Sequence, residues 1–277
     1  MPLLSAVTTT KFPLHNKSKA FNAFRSIRIA ALIVLAAIVV PVDSYSAQIE
    51  PGMSASERVL FEALNQERTS RGLSALQWDN ALASAAREHA TLMAHRNTLS
   101  HQLPGEAPVQ DRATHAGARF SLIAENIAVA PDPSIIHSAW MRSPHHRENI
   151  LDPELNVVGI AVVKGSDGLF AVQDFSQAVA NLNLGQQEQQ VVAELRAKGL
   201  RATKVTTEAR KTCQMNRGFA GSHPLSVVRF ETTDLKQLPD DVERKLRTGK
   251  YNSAAVGACS GGNSSGFTHF RIAVVLY

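Results

Sequence analysis

An unbroken apolar run from Ile29 to Val40 is the feature that most limits what this chain can do. Lys11, Lys17, Lys19, Arg25 and Arg28 precede it, Pro41 ends it, and Ser44, Ser46 and Ala47 follow. A basic region, a short apolar core and small residues are the parts of a secretory signal. The run, about 12–14 residues, is short of the ~20 that span a bilayer comfortably. Residues 1–47 are therefore read as a signal peptide cleaved near Ser46 or Ala47, or, if uncleaved, as an N-terminal membrane segment. The expected location is secreted, periplasmic or extracellular, with membrane contact only through this segment.

The remaining chain divides by charge. Of 277 residues, the first 47 carry a net charge of +4, residues 48–180 carry −5, and residues 181–277 carry +6. Removing the first segment lowers the overall charge from +5 to about +1, so bulk charge does not argue for a nucleic-acid partner. Aromatic residues make up only 6%, too few for a stacking platform for single strands. The two cysteines, Cys213 and Cys259, exclude any four-cysteine metal site. Outside the cytoplasm a Cys213–Cys259 bridge would persist, stabilising the fold by about 4 kcal/mol in the chain-entropy model. Two buried thiols are the alternative.

In the acidic middle segment, Ser54-x-x-Glu57 forms a capping box before apolar residues at helical spacing. Gly72 supplies a left-handed stop. Asp79 or Asn80 caps a second helix that carries Leu82, Ala86, His89 and Met93 on one face. His89 is read as a satisfied core residue and His95 as a surface or capping residue. Asp111, Arg112 and Gly117 bracket a short helical turn. Asp132-Pro133 opens a further helix. Two strands, Val158–Val163 and Leu169–Phe175, flank the hairpin signal Gly165-Ser-Asp-Gly168.

These residues carry a resemblance. Leu64-Asn65-x-x-Arg68, Gly72-Leu73, Trp78-Asp79, Ala86-x-x-His89-Ala90-x-x-Met93, Ser100-His101, Glu125-Asn126-Ile127, Trp140-x-x-Ser143-Pro144-x-His146-Arg147-x-Asn149-Ile150-Leu151 and Val158-Gly159-Ile160 follow in order. The string resembles the CAP superfamily of cysteine-rich secretory proteins, antigen 5 and pathogenesis-related proteins, in its bacterial form. The resemblance implies an α+β fold: a CAP-type three-layer α-β-α sandwich over residues 54–179, followed by a smaller α+β domain over 186–277.

The resemblance also implies a cleft where two histidines and two glutamates meet. His101 matches the first histidine, Glu125 the first glutamate and His146 the second histidine. Ser143 stands where the animal and plant proteins have the second glutamate, so the tetrad is incomplete. His101, Glu125 and His146 are the expected ligand-binding residues. His101 and His146 are candidate ligands for Zn2+ or another divalent metal, and Glu125 is a candidate base or histidine-orienting group. A polar cluster that merely braces the cleft is the alternative. His115 and His145 are read as solvated, Asn126 and Asn149 as binding backbone in turns, and Arg147 as paired with Glu148 or a nearby carboxylate. The segment has no Gly-x-Ser-x-Gly, His-Glu-x-x-His or phosphate loop.

In the last segment, Gln186–Lys198 reads as a helix ended by Gly199. Leu225–Glu231, Ser253–Ser260 and Phe267–Tyr277 read as strands, and Pro239–Arg247 as a short helix. This segment resembles no known family. Its basic residues are scattered, which reads as a solvated face more than as a docking site.

Three functions follow. The first is an exported CAP-domain protein whose cleft binds a small apolar, lipid-like or cell-envelope ligand, with no catalysis required. The second is a structural or interaction protein of the cell envelope. The third is a metal-assisted hydrolase using Glu125 as base. Oligomeric state has no signature in the sequence.

Overall fold

The computed structural model describes residues 3–6, 10–11, 52–260 and 266–277. Within the expected targeting segment it describes two short strands, β1 (Leu3–Ala6) and β2 (Thr10–Lys11). The apolar run 29–40 lies outside the described residues.

Local capping sets the first helices. Ser54 and Glu57 close the capping box of α1 (Ala55–Thr69), and Gly72 turns the chain at φ +75°. The short β3 (Gln77–Trp78) leads to Asp79, which accepts from Leu82 N and starts α2 (Asn80–Arg96). A loop and α3 (Val109–His115) follow, then the long β4 (Phe120–Ala130). Asp132 caps α4 (Pro133–Arg142), and α5 (Pro144–Leu151) begins at the next proline. The hairpin of β5 (Val157–Lys164) and β6 (Leu169–Ala178) closes through Gly165 N donating to Gly168 O at 2.8 Å.

These strands form a sheet in the order β1-β4-β6-β5-β3, with β2 also on β4. Alternate residues face opposite sides. Ile127, Val129, Ala161 and Val172 pack against Ala86, Ala90 and Met93 of α2. Ala124, Ala128, Ile160 and Phe175 pack against Leu60, Leu64, Ile136 and Trp140 of α1 and α4. The result is a three-layer α-β-α sandwich.

A second sheet follows. Asn183 caps α6 (Leu184–Ala197), then come β7 (Ala202–Val205), α7 (Thr207–Gln214), β8 (Ser226–Thr232), α8 (Asp240–Arg247), β9 (Ser253–Cys259) and β10 (Phe270–Leu276). The strand order is β7-β9-β10-β8. Val191, Leu195 and Val242 of α6 and α8 cover Val256, Ile272 and Val274 on one face. Ala209 of α7 meets Ala255 and Val275 on the other. The Cys213–Cys259 disulfide ties α7 to β9. Beyond the end of β7, the buried carboxylate of Glu188 accepts from Ala258 N at 2.9 Å and from both Nε and Nη2 of Arg210 at 2.6 Å. It thereby satisfies an otherwise open strand edge.

The two lobes meet where the chain enters β10. Phe267 stacks edge-on against Phe120 at 5.4 Å, Thr268 N donates to Phe120 O at 2.8 Å, and Thr114 Oγ1 donates to Gly266 O at 3.1 Å.

Candidate functional site

Glu125 and Asn126 lie in the middle of β4 and point to opposite faces of the sheet. Glu125 faces α2 and is fully buried. Asn97 ends α2 in the left-handed conformation at φ 46°, and the loop after it carries His101 back over the sheet. His101 Nδ1 lies 2.7 Å from Glu125 Oε1. Arg112 of α3 donates to Glu125 Oε2. Its other nitrogen donates to the carbonyls of His101 at 3.1 Å and Ala107 at 3.0 Å. One guanidinium thus holds both the carboxylate and the loop that bears the histidine.

Glu106 pins the same loop to α2. Its Oε1 lies 2.6 Å from His89 Nδ1, and its Oε2 accepts from Leu103 N at 2.9 Å. His89 Nε2 is 3.9 Å from Glu125 Oε2. His89 is therefore a core residue, as its helical position suggests, and also a member of this cluster. Burial, aided by Arg112, pushes the His89 imidazole down to about 4 against the pull of Glu106. Burial pushes the Glu125 carboxyl above the usual range, opposed by Arg112. Asp174 of β6 sits directly opposite Glu125 in the strand pairing, also fully buried. Burial, and then the Glu125 charge, push its carboxyl well above the usual range.

His146 belongs to α5, on the side of β4 that Asn126 faces. Its Nδ1 lies 2.7 Å from Ser143 Oγ, which orients this imidazole. Asn126 Nδ2 donates to His146 O at 3.1 Å, and Asn149 Nδ2 donates to Asn126 Oδ1 at 2.9 Å. Both asparagines do bind backbone, but from a strand and a helix rather than from turns, because β4 and α5 run past each other here. The buried guanidinium of Arg68 donates to the carbonyls of Ile150 at 2.8 Å and Asp152 at 2.9 Å, fixing the end of α5. Arg147 does not pair with Glu148. It donates to Met141 O at 3.2 Å, while Glu148 faces His145 at 3.7 Å. His115 and His145 are exposed.

Sequence reading missed Arg112 and Asp174 beside Glu125, and Glu106 as the partner of His89. Asp174 had a signal: an acidic residue inside the apolar run Leu169–Phe175 of a strand covered on both faces. Arg112 and Glu106 had none, since short polar segments carry charges routinely.

The donor set does not close around a metal. Both Glu125 oxygens are engaged by His101 and Arg112, and His146 lies on the other side of β4, held by Ser143. Among the described residues, no group of three or more His, Cys, Asp or Glu side chains is placed to hold an ion. Glu125 has no contact with solvent through which to activate water. His101, with 14% of its side chain exposed, joins the buried cluster to the surface. Two surface hollows lie elsewhere. One of about 450 Å³ runs along α2 by Thr91, Leu92 and His95, and one of about 430 Å³ lies between the lobes by Gln177, Leu182 and Lys236.

Residues 61–175 match the family model described as cysteine-rich secretory protein family, CAP. An uncharacterized protein of Bacillus subtilis, YkwD, is 34% identical over 113 residues, 40% of this chain and 44% of the relative. An uncharacterized protein of Borreliella burgdorferi is 26% identical over 112 residues, 40% of this chain and 72% of the relative. Among solved structures, an extracellular protein containing a SCP domain from Bacillus anthracis aligns at 29% identity and a TM-score of 0.41, over 43% of this chain and 39% of that one. An outer surface protein from Borrelia burgdorferi aligns at 22% identity and a TM-score of 0.42, over 44% of this chain and 92% of that one. The chain thus spans under half the length of the first relative, and the family match stops before the second sheet. Over residues 61–175 the chain is thus similar to the CAP domain of the cysteine-rich secretory protein family.

Proposed function

We propose that this is an exported protein that binds a small apolar or cell-envelope ligand at the His101 edge of its CAP domain, without hydrolysing it. The observation that carries the reading is the division of labour between Glu125 and His101. Glu125 is fully buried and both its oxygens are committed, which suits a group that orients a histidine rather than one that takes a proton from water. His101 is held by that carboxylate and keeps 14% of its side chain exposed. A contact group held rigid before the ligand arrives spares the ordering cost of binding.

Export is supported by two features. The basic-then-apolar N-terminal segment has the parts of a secretory signal. The disulfide between Cys213 and Cys259 is of a kind that persists outside the cytosol. Among the described residues no helix is long and apolar enough to cross a membrane.

The test is a binding panel of fatty acids, phospholipids, sterols and peptidoglycan fragments, run on wild type and His101→Ala, with zinc uptake measured alongside. Retention of one ligand class by wild type and its loss in His101→Ala are expected. A wild type that retains nothing, or a variant that behaves like it, overturns the reading.

A further inference from the structure

Glu125 and Asp174 face each other across β4 and β6, and directly opposed residues of a strand pair point to the same side. Both side chains are fully buried. On its other flank Asp174 pairs with Gly159 of β5. There the backbone of α2 comes so near that a Cβ on Gly159 would lie 2.1 Å from Ala83 N. The helix seals the carboxyl from water.

No N–H or O–H donor among the described residues reaches either oxygen of Asp174. An ionised carboxylate in that position would lack both water and a partner, which is among the costliest arrangements in a protein interior. The groups facing the pair do not relieve it. Arg112 of α3 is committed to Glu125 and two carbonyls. His89 of α2 is bound to Glu106, whose own carboxylate adds negative charge. His101 of the loop is bound to Glu125. His146 of α5 lies on the opposite side of β4, with Asn126. Two carboxyls that share a buried site do not both ionise.

We propose that Asp174 keeps its proton at neutral pH and donates it in a hydrogen bond to the Glu125 carboxylate. Glu125 then accepts from three donors: Asp174, Arg112 and His101. The consequence reaches the His101 imidazole. A Glu125 that stays ionised requires N–H on His101 Nδ1, which sets the tautomer with Nε2 as the acceptor nitrogen. Asp174 is thus a positioning residue that acts through Glu125 on His101. The raised carboxyl of Asp174 agrees with this arrangement. The inference holds whether or not the cleft binds a ligand.

The experiment is a pH titration of the whole protein labelled with 13C at its Asp and Glu side-chain carboxyls. It is run on wild type and Asp174→Asn, with 15N shifts of the His101 ring recorded alongside. The wild type should show one Asp carboxyl still protonated at about pH 7, far above the ordinary value of about 3.9. Asp174→Asn should remove that resonance, because it removes the carboxyl while its amide keeps a neutral donor toward Glu125. The variant should also keep the Nδ1–H tautomer of His101, whereas Asp174→Ala should shift it. If every Asp carboxyl of the wild type ionises near about pH 4, or if the retained proton sits on a Glu, the proposal is wrong. That wild-type result decides the matter even if a variant does not fold.

Discussion

Arg112 on α3 donates to the buried carboxylate of Glu125 on β4 and, through its other nitrogen, to the backbone carbonyl of His101. Three features of the site therefore depend on one side chain: the charge balance of Glu125, the course of the loop and the position of the imidazole. Replacing Arg112 by Met leaves a buried carboxylate without its cation. Truncating one member of a buried pair costs about 3–5 kcal/mol. Urea denaturation of Arg112→Met should show a loss in that range, with reduced ligand retention by the folded protein. A loss under about 1 kcal/mol would place Arg112 among surface-type pairs.

His89 sets an acid limit. Its folded-state pKa of about 4 lies below the unfolded value of about 6.5. A depressed pKa contributes stability that is present above about 6.5 and is lost as pH falls through about 4. The loss should be on the order of 3 kcal/mol across that window. In His89→Asn, which keeps a donor toward Glu106, the acid loss should be smaller by about that amount. Denaturant midpoints taken from about pH 7 to pH 4 check this. Parallel curves for the two proteins would contradict it.

Each lobe has one glycine where a helix backbone rests on the sheet. A Cβ at Gly159 would meet Ala83 N at 2.1 Å, and one at Gly257 would meet Ala209 C at 2.1 Å. Neither neighbour is the tip of a side chain that could swing away. Gly159→Ala and Gly257→Ala should each cost about 3 kcal/mol or more, at the upper end of overpacking effects. Both tryptophans, Trp78 and Trp140, sit in the first lobe. Tryptophan fluorescence melts should therefore fall for Gly159→Ala and change little for Gly257→Ala. Equal shifts in both would show that the lobes unfold as one unit.

Much of the fold is written in short-range signals. The capping box at Ser54 and Glu57, the cap at Asp79, the Asp132-Pro133 start and the Gly165–Gly168 hairpin all act within a few residues, so they are legible along the chain. The pairing of His101 with Glu125 was accessible only through resemblance. The pairing of Glu125 with Asp174 depends on strand register, and nothing local marks which residue of β6 lies opposite which residue of β4. In the second lobe, β7 and α7 went unread. The buried side of α7 is only Ala209, Thr212 and Cys213, too weak a stripe to stand out among Glu208, Arg210 and Lys211.

The disulfide closes a sequence separation of 46 residues between α7 and β9. Opening it restores chain entropy to the unfolded state worth about 4 kcal/mol. Cys213→Ala with Cys259→Ala should destabilise the second lobe by about that much. The tryptophan transition of the first lobe should move far less. Far-UV circular dichroism and tryptophan fluorescence followed on the same samples separate the two effects. Coincident shifts would contradict the assignment of this bridge to one lobe.

The proposed binding runs through His101, with Glu125 only orienting its imidazole. Native mass spectrometry after incubation with fatty acids, phospholipids, sterols and peptidoglycan fragments tests this most directly. It compares wild type, His101→Ala and Glu125→Gln, with product formation monitored in the same samples. Wild type is expected to retain one intact ligand class, His101→Ala to lose it, and Glu125→Gln to weaken retention, with no product formed by any of the three. Turnover by wild type that vanishes in Glu125→Gln, or ligand retention unchanged in His101→Ala, would contradict it.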